Sequence, residues 1–175
     1  MNPTLITIIA LLFPSIALSQ SLCGKGELDY FSCETVNKKV ISVCGNISNG
    51  EITDNSWLQY RFGKKGAIEL TYPKEKQGSV SKFEGNYFNR YNVIDLRFIN
   101  GKTLYGVNYN DSYSGDEAQE RTSPSAGVYV EINHAKPVNI QCAKIHTAFT
   151  YFGYLNDWLR SYNGETNFHV PVANE

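Results

Sequence analysis

The chain has no surplus of charge of either sign: 16 Lys and Arg stand against 17 Asp and Glu in 175 residues, a formal net charge of −1. Nucleic-acid binders usually declare themselves by a basic surplus, so no nucleic-acid partner is expected. It also lacks an apolar run long enough to span a bilayer, which takes roughly 20 residues. The nearest approach, Leu5 to Leu18, carries no charge, is dominated by Leu, Ile, Ala and Phe, and is interrupted by Pro14. Small residues Ala17 and Ser19 follow, two apart and just ahead of Gln20, in the pattern that signal peptidase reads. Residues Met1 to Ser19 are therefore expected to be a cleaved export signal, even though no Lys or Arg precedes the apolar run. After cleavage no membrane span is expected, and the destination is the periplasm or the extracellular space. Lipidation at Cys23 is not expected, because Leu22 stands where that processing takes Gly, Ala or Ser.

Further absences narrow the chemistry. No Cys-x-x-Cys pair exists, which argues against zinc. No Ser lies in a Gly-x-Ser-x-Gly elbow, no glycine-rich loop suits a phosphate, and His134, His146 and His169 are too scattered to pair as ligands. Neither an enzyme nor a cofactor is expected. Internal repeats and low-complexity stretches are missing too, so the roughly 155 residues after the cut fit a single domain.

What is present is alternation. Aromatic and β-branched residues alternate with polar ones along most of the mature chain, the period of a strand. Trp57 to Tyr72 is the clearest case, with Leu58, Tyr60 and Phe62 on one face, and Ile68, Leu70 and Tyr72 sharing another run. A three-residue loop of Lys64, Lys65 and Gly66 predicts Phe62 opposite Ile68, Tyr60 opposite Leu70 and Arg61 opposite Glu69. A second hairpin is expected to turn at Asn100-Gly101, setting Phe98 against Thr103, Leu96 against Tyr105 and Ile94 against Val107. A third runs Val128 to Ile132 against Val138 to Cys142, around His134-Ala135-Lys136, and a strand is expected near Val80 to Phe88. Leu155, Trp158, Leu159 and Tyr162 then recur at three- and four-residue intervals, predicting a terminal helix near 153–162 that stops at Asn163-Gly164. The expected architecture is mainly β: a small antiparallel meander barrel or sandwich over 20–164 with a short C-terminal helix, then a loosely held tail at 165–175.

The four cysteines, Cys23, Cys33, Cys44 and Cys142, all follow the signal, so an oxidising compartment and two disulfides are expected. The opening hairpin, Tyr30 to Cys44 with a turn near Asn37-Lys38-Lys39, puts Cys33 on the face of Phe31, Ile41 and Val43, and Cys44 on the other. Cys142 points inward beside Ile140. These faces favour Cys33 with Cys142 and Cys23 with Cys44, among three pairings that remain open.

The longest stretch without strand pattern is Asn110 to Ala126. It is acidic through Asp111, Asp116, Glu117 and Glu120, with Tyr109 and Tyr113 near its start, which makes it a candidate loop for engaging a protein partner. Its spacing lacks the EF-hand order, so no metal is expected. Asn46-Ile47-Ser48 and Asn110-Asp111-Ser112 match the glycosylation pattern.

Two stretches carry a resemblance. Phe31-Ser-Cys33-Glu-Thr-x-x-x-Lys39-Val-Ile-x-Val-Cys44 and Gln59-Tyr-Arg-Phe-Gly63-x-x-Gly66-x-Ile-Glu69-Leu-x-Tyr72-Pro73 resemble a family of small exported bacterial β proteins of uncharacterised function and, more distantly, periplasmic inhibitors of C-type lysozyme. The resemblance implies a small β barrel with a first-strand cysteine bonded to one near the end, a role matching Cys33 and Cys142. No counterpart of the inhibitory Ser-Gly-x-x-Tyr-like loop is found. It implies a non-catalytic exported binding protein, an inhibitor of or immunity protein against a secreted wall-degrading hydrolase. The alternative is a cell-envelope structural or ligand-binding module.

Overall fold

The computed structural model describes residues 21–88, 93–111, 123–148 and 150–163. The expected signal and tail lie outside that range. Among the described residues, nine strands form one antiparallel sheet: β1 (Leu28–Thr35), β2 (Val40–Gly45), β3 (Leu58–Lys64), β4 (Ala67–Tyr72), β5 (Glu84–Phe88), β6 (Val93–Asn100), β7 (Thr103–Asn110), β8 (Ser125–Ile132) and β9 (Val138–Thr147). One helix, α1 (Thr150–Asn163), follows. The sheet order is β4-β3-β2-β1-β9-β8-β7-β6-β5, two meanders joined where β9 pairs with β1. The protein is mainly β, a curled half-barrel with a short C-terminal helix.

The alternation read from the sequence sorts the rows of this sheet. Gly85, Leu96, Val107, Val128 and Ile140 lie opposite one another across five strands, and so do Phe98, Tyr105, Val130 and Val138 across four. These rows face the inside, where Leu96, Val107 and Val128 are almost wholly buried. Each large aliphatic side chain buried this way contributes about 1.5–3 kcal/mol. Aromatic rings show the curl: Tyr60 of β3 and Phe98 of β6 are 5.0 Å apart between ring centroids although five strands separate them in the sheet. Phe98 also stacks on Tyr72 of β4 at 4.6 Å and on Tyr105 at 4.9 Å. The two sheet edges are thus brought near each other, and residues 73–83 cross from β4 to β5, with a single 3₁₀ turn at Val80–Lys82.

β9 makes the corner. Its first half pairs with β8 and its second half with β1, where the register slips twice and leaves Ala143 and His146 as extra residues. Such bulges bend a strand and let it serve two half-sheets. The Cys33–Cys142 bond sits at this corner, and Cys23 is bonded to Cys44. This is the pairing that the strand faces favour.

α1 closes the concave side. Phe152, Leu155 and Leu159, spaced three and four apart, are fully buried, as a one-sided helix demands. The Phe152 ring meets Phe31 of β1 at 5.0 Å, and a Cβ on Gly85 of β5 would stand 2.7 Å from the Asn156 carbonyl. A side chain at Gly85 would therefore lift the helix. Asn163 donates to the Phe83 carbonyl at 2.8 Å and fixes the last turn.

Two registers differ from expectation. In the β3–β4 hairpin, Lys64 lies opposite Ala67, leaving Lys65 and Gly66 as a two-residue turn. A bulge follows, so that Phe62 faces Leu70, Tyr60 faces Tyr72, and Arg61 faces Thr71. Glu69 is the extra residue. Gly63 opposite it has φ +144°, and a Cβ there would stand 2.7 Å from the Glu69 nitrogen. The expected Arg61–Glu69 pair is absent because the bulge sends Glu69 to Lys39 at 2.7 Å. In the β6–β7 hairpin the turn is Gly101-Lys102, with Asn100 opposite Thr103. Only Gly101 has positive φ (+65°), which makes a II′-type turn and pairs Phe98 with Tyr105, Leu96 with Val107 and Ile94 with Tyr109.

Candidate functional site

Of the residues proposed for a partner-binding loop, Tyr113, Asp116, Glu117 and Glu120 lie outside the described residues. Tyr109 and Asp111 are described, and both are buried, at 5% and 4% exposure. Tyr109 corrects the expectation: it belongs to the inner row with Ile94 and Ala126, as its two-residue offset from Val107 would have indicated. It is core.

The outer faces of the two meanders are the informative surfaces. On β1, β2 and β3 the outward residues Ser32, Ser42, Gln59, Arg61 and Cys44 are all buried. The segment Ser21 to Glu27 lies over them like a strap. The Leu22 N–H donates to Ser42 Oγ at 2.9 Å, and Cys23 is bonded to Cys44. Arg61 is the hub: Nη1 donates to the Leu22 carbonyl at 2.9 Å and to Glu27 at 2.6 Å, and Nη2 donates to Glu27 at 3.1 Å and to Gln59 at 2.7 Å. Lys76, itself 3.9 Å over the Trp57 ring, adds a third cation contact to Glu27 at 3.0 Å. Burial pushes the Glu27 carboxyl up, but hydrogen bonds from Arg61, the Gly24 N–H and Lys76 outweigh it and hold the group at about 2.

On β5 to β8 no such strap lies over the outward residues among the described residues. One row runs Glu84, Arg97, Gly106, Tyr129 and Asn139, and the next runs Asn86, Asp95, Asn108, Gly127 and Gln141. Gly106 is the key to the first row. The Tyr129 ring lies across it in the space a Cβ would need. That brings the Tyr129 hydroxyl to within 3.5 Å of Asp95 Oδ2, the same oxygen that Arg97 Nε approaches at 3.5 Å. Both contacts are long, and Asp95 Oδ1 is buried with no hydrogen-bond partner. Desolvation therefore dominates: the Asp95 carboxyl is pushed up to about 6, with Arg97 and Tyr129 offsetting only part of it. Burial, and then the Asp95 charge, raise the Tyr129 hydroxyl well above the usual tyrosine value.

Beside this cluster stands an apolar ridge of Ile99, 62% exposed, and Leu104, its ladder partner. Depressions of about 500 and 530 Å³ flank the ridge, and both are lined by Arg97, Ile99 and Leu104. Glu84 borders the first and Glu131 the second. Charge fixed on a rigid sheet next to exposed aliphatic surface suits recognition.

The two described histidines do not assemble chemistry. His134 lies in the β8–β9 turn with φ +60°, its Nδ1 3.4 Å from Glu131. His146, at the β9 bulge, keeps Nε2 buried without a hydrogen-bond partner, and burial and Lys144 lower its pKa. Near it, Asp29 accepts from Ser32 at 2.9 Å and from Thr147 at 3.2 Å, and burial raises its pKa. No group of three or more His, Cys, Asp or Glu suited to a metal ion occurs among the described residues. His169 lies outside them. Asn46 is engaged on both sides of its amide, donating to the Asn55 carbonyl and accepting from the Trp57 N–H, so the first glycosylation motif is a loop clamp.

Sequence reasoning missed Asp95, Arg97 and Tyr129. Charged residues alternating with Ile94, Leu96 and Phe98 read as an ordinary solvated face, and the one available signal, Gly106 interrupting the outward positions of β7, gains meaning only once Tyr129 is placed over it. Compared with models of known protein families, with curated proteins and with solved structures, the chain matches none.

Proposed function

We propose that this is an exported, non-catalytic binding protein that engages a protein partner through the outer face of β5 to β8, the partner being a secreted wall-degrading hydrolase. Two disulfides suit folding in an oxidising compartment. No helix among the described residues is long and apolar enough to cross a membrane. The observation that carries the reading is Arg97, held between Asp95 and the ridge of Ile99 and Leu104 on a rigid sheet. Arg and Tyr on well-packed supports beside exposed aliphatic surface are what binding hot spots are made of.

The test is inhibition of a C-type lysozyme, and of a panel of secreted wall hydrolases, by the mature chain. Inhibition or saturable binding of one of them is expected. Arg97→Ala should weaken it about 30-fold, the equivalent of about 2 kcal/mol. An absence of binding across the panel, or an Arg97→Ala variant as potent as the parent, would overturn the reading.

A further inference from the structure

We propose that the outer-face depression around Gly127 is a binding site for a neutral saccharide. This goes beyond the protein-partner reading and stands on different residues, so either can fail alone. The floor of the depression is Gly127 in β8, packed so close to β9 that a Cβ there would stand 2.5 Å from the Ile140 carbonyl oxygen. With no side chain at that position, the ladder row dips between Asn108 on one side and Gln141 on the other. Asn139, two residues along β9, borders the same dip. The space is about 370 Å³, within the range of small-ligand sites.

The chemistry of the lining selects the ligand. No residue lining the depression carries a titratable side chain, since Cys142 is bonded to Cys33. An anion would find no cation there and a cation no carboxylate. Three carboxamides from β7 and β9 instead present paired donors and acceptors on rigid strands, and none of the three is held by another described side chain. Adjacent hydroxyl groups, each able to donate and to accept, match that set. The Tyr129 ring lies over Gly106 in the neighbouring ladder row and does not line the depression.

The experiment titrates the mature chain with chitotetraose, cellotetraose and maltotetraose, and with a sulfated heparin oligosaccharide as the charged counterpart, following backbone amide shifts by NMR. At least one neutral tetrasaccharide should bind saturably, with shifts centred on Gly127, Asn139 and Gln141. The double variant Asn139→Ala with Gln141→Ala should weaken that binding tenfold or more. Both residues are exposed, so an unchanged thermal midpoint is expected and separates lost contacts from lost fold. The single variant Asn108→Ala provides a second probe from the opposite wall. Failure of all three neutral saccharides to bind, equal binding by the variants, or tighter binding of the sulfated oligosaccharide would overturn the proposal.

Discussion

The two halves of the sheet treat the polar residues of their outer faces in opposite ways. On β1 to β3 a strap covers them, and the two charges of its hub are answered: Arg61 meets a carbonyl, a carboxylate and an amide, and Glu27 meets Arg61, Lys76 and a backbone N–H, while Asp29 on the same face keeps one oxygen without a hydrogen bond. On β6 to β8 nothing among the described residues lies over Asp95 as Leu22 to Glu27 lies over Arg61. The Asp95 carboxylate makes long contacts and leaves one oxygen without a hydrogen bond. The first arrangement lowers a carboxyl pKa and the second raises one. A buried charge with full partners is explained by folding. One that keeps an oxygen without a hydrogen bond is not explained by folding alone, since functional sites commonly give up stability.

The bond that joins the halves sets the largest expected effect. Replacing Cys33 and Cys142 together by Ser opens a loop with a sequence separation of 109, and the chain-entropy model puts the loss at about 5 kcal/mol. Urea unfolding should show it, and both outer faces should become accessible to hydrogen exchange together. Protection of one half alone would mean that the halves fold independently.

Next is the hub of the covered face. Arg61→Ala leaves Glu27 without its main partner and should cost on the order of 3–5 kcal/mol in denaturant unfolding. A loss under about 1 kcal/mol, the range of an exposed pair, would reduce the strap to a surface decoration.

Much of this arrangement is legible in the chain. Alternation separates inside from outside wherever one face is wholly apolar, as with Ile94, Leu96 and Phe98, and the same rule points Cys33 and Cys142 inward. Register is less legible, because it turns on single residues whose role depends on their partner strand. Gly63 reads as the start of a loop, yet it is the place where β4 gains Glu69 as an extra residue, and that one shift redirects Arg61 and Glu69 to new partners. The strap is not legible at all. Ser21 to Glu27 has no periodicity, and only Arg61 in three dimensions gives it a place to lie. For the same reason the Asp95 cluster escapes notice, since its distinction is a set of long contacts among residues that look ordinary in sequence.

Glu27 sharpens the comparison through pH. Its folded value of about 2 lies below the ordinary 4.5, so its contribution is fully present above about pH 4.5 and is lost as the pH falls toward 2. Glu27→Gln should remove that part of the acid sensitivity, on the order of 1–2 kcal/mol across the window after allowance for solvent screening. A parent and variant with parallel pH profiles between 2 and 4.5 would show that Glu27 is not held as described.

The most direct test is the same measurement on the other face, comparing the unfolding free energy of the parent with that of Asp95→Asn from pH 3 to pH 7. The folded value for Asp95, about 6, lies above the ordinary 3.8, so the native state holds this proton more tightly and the contribution is lost as the pH rises through that window. Parent stability relative to Asp95→Asn should therefore fall between about pH 4 and 6, by on the order of 1–2 kcal/mol after allowance for solvent screening of a side chain that is 23% exposed. That slope is opposite in sign to the one expected for Glu27. A difference that rises with pH would make Asp95 a stabilising, fully answered charge, and the contrast between the covered and the open face would not stand.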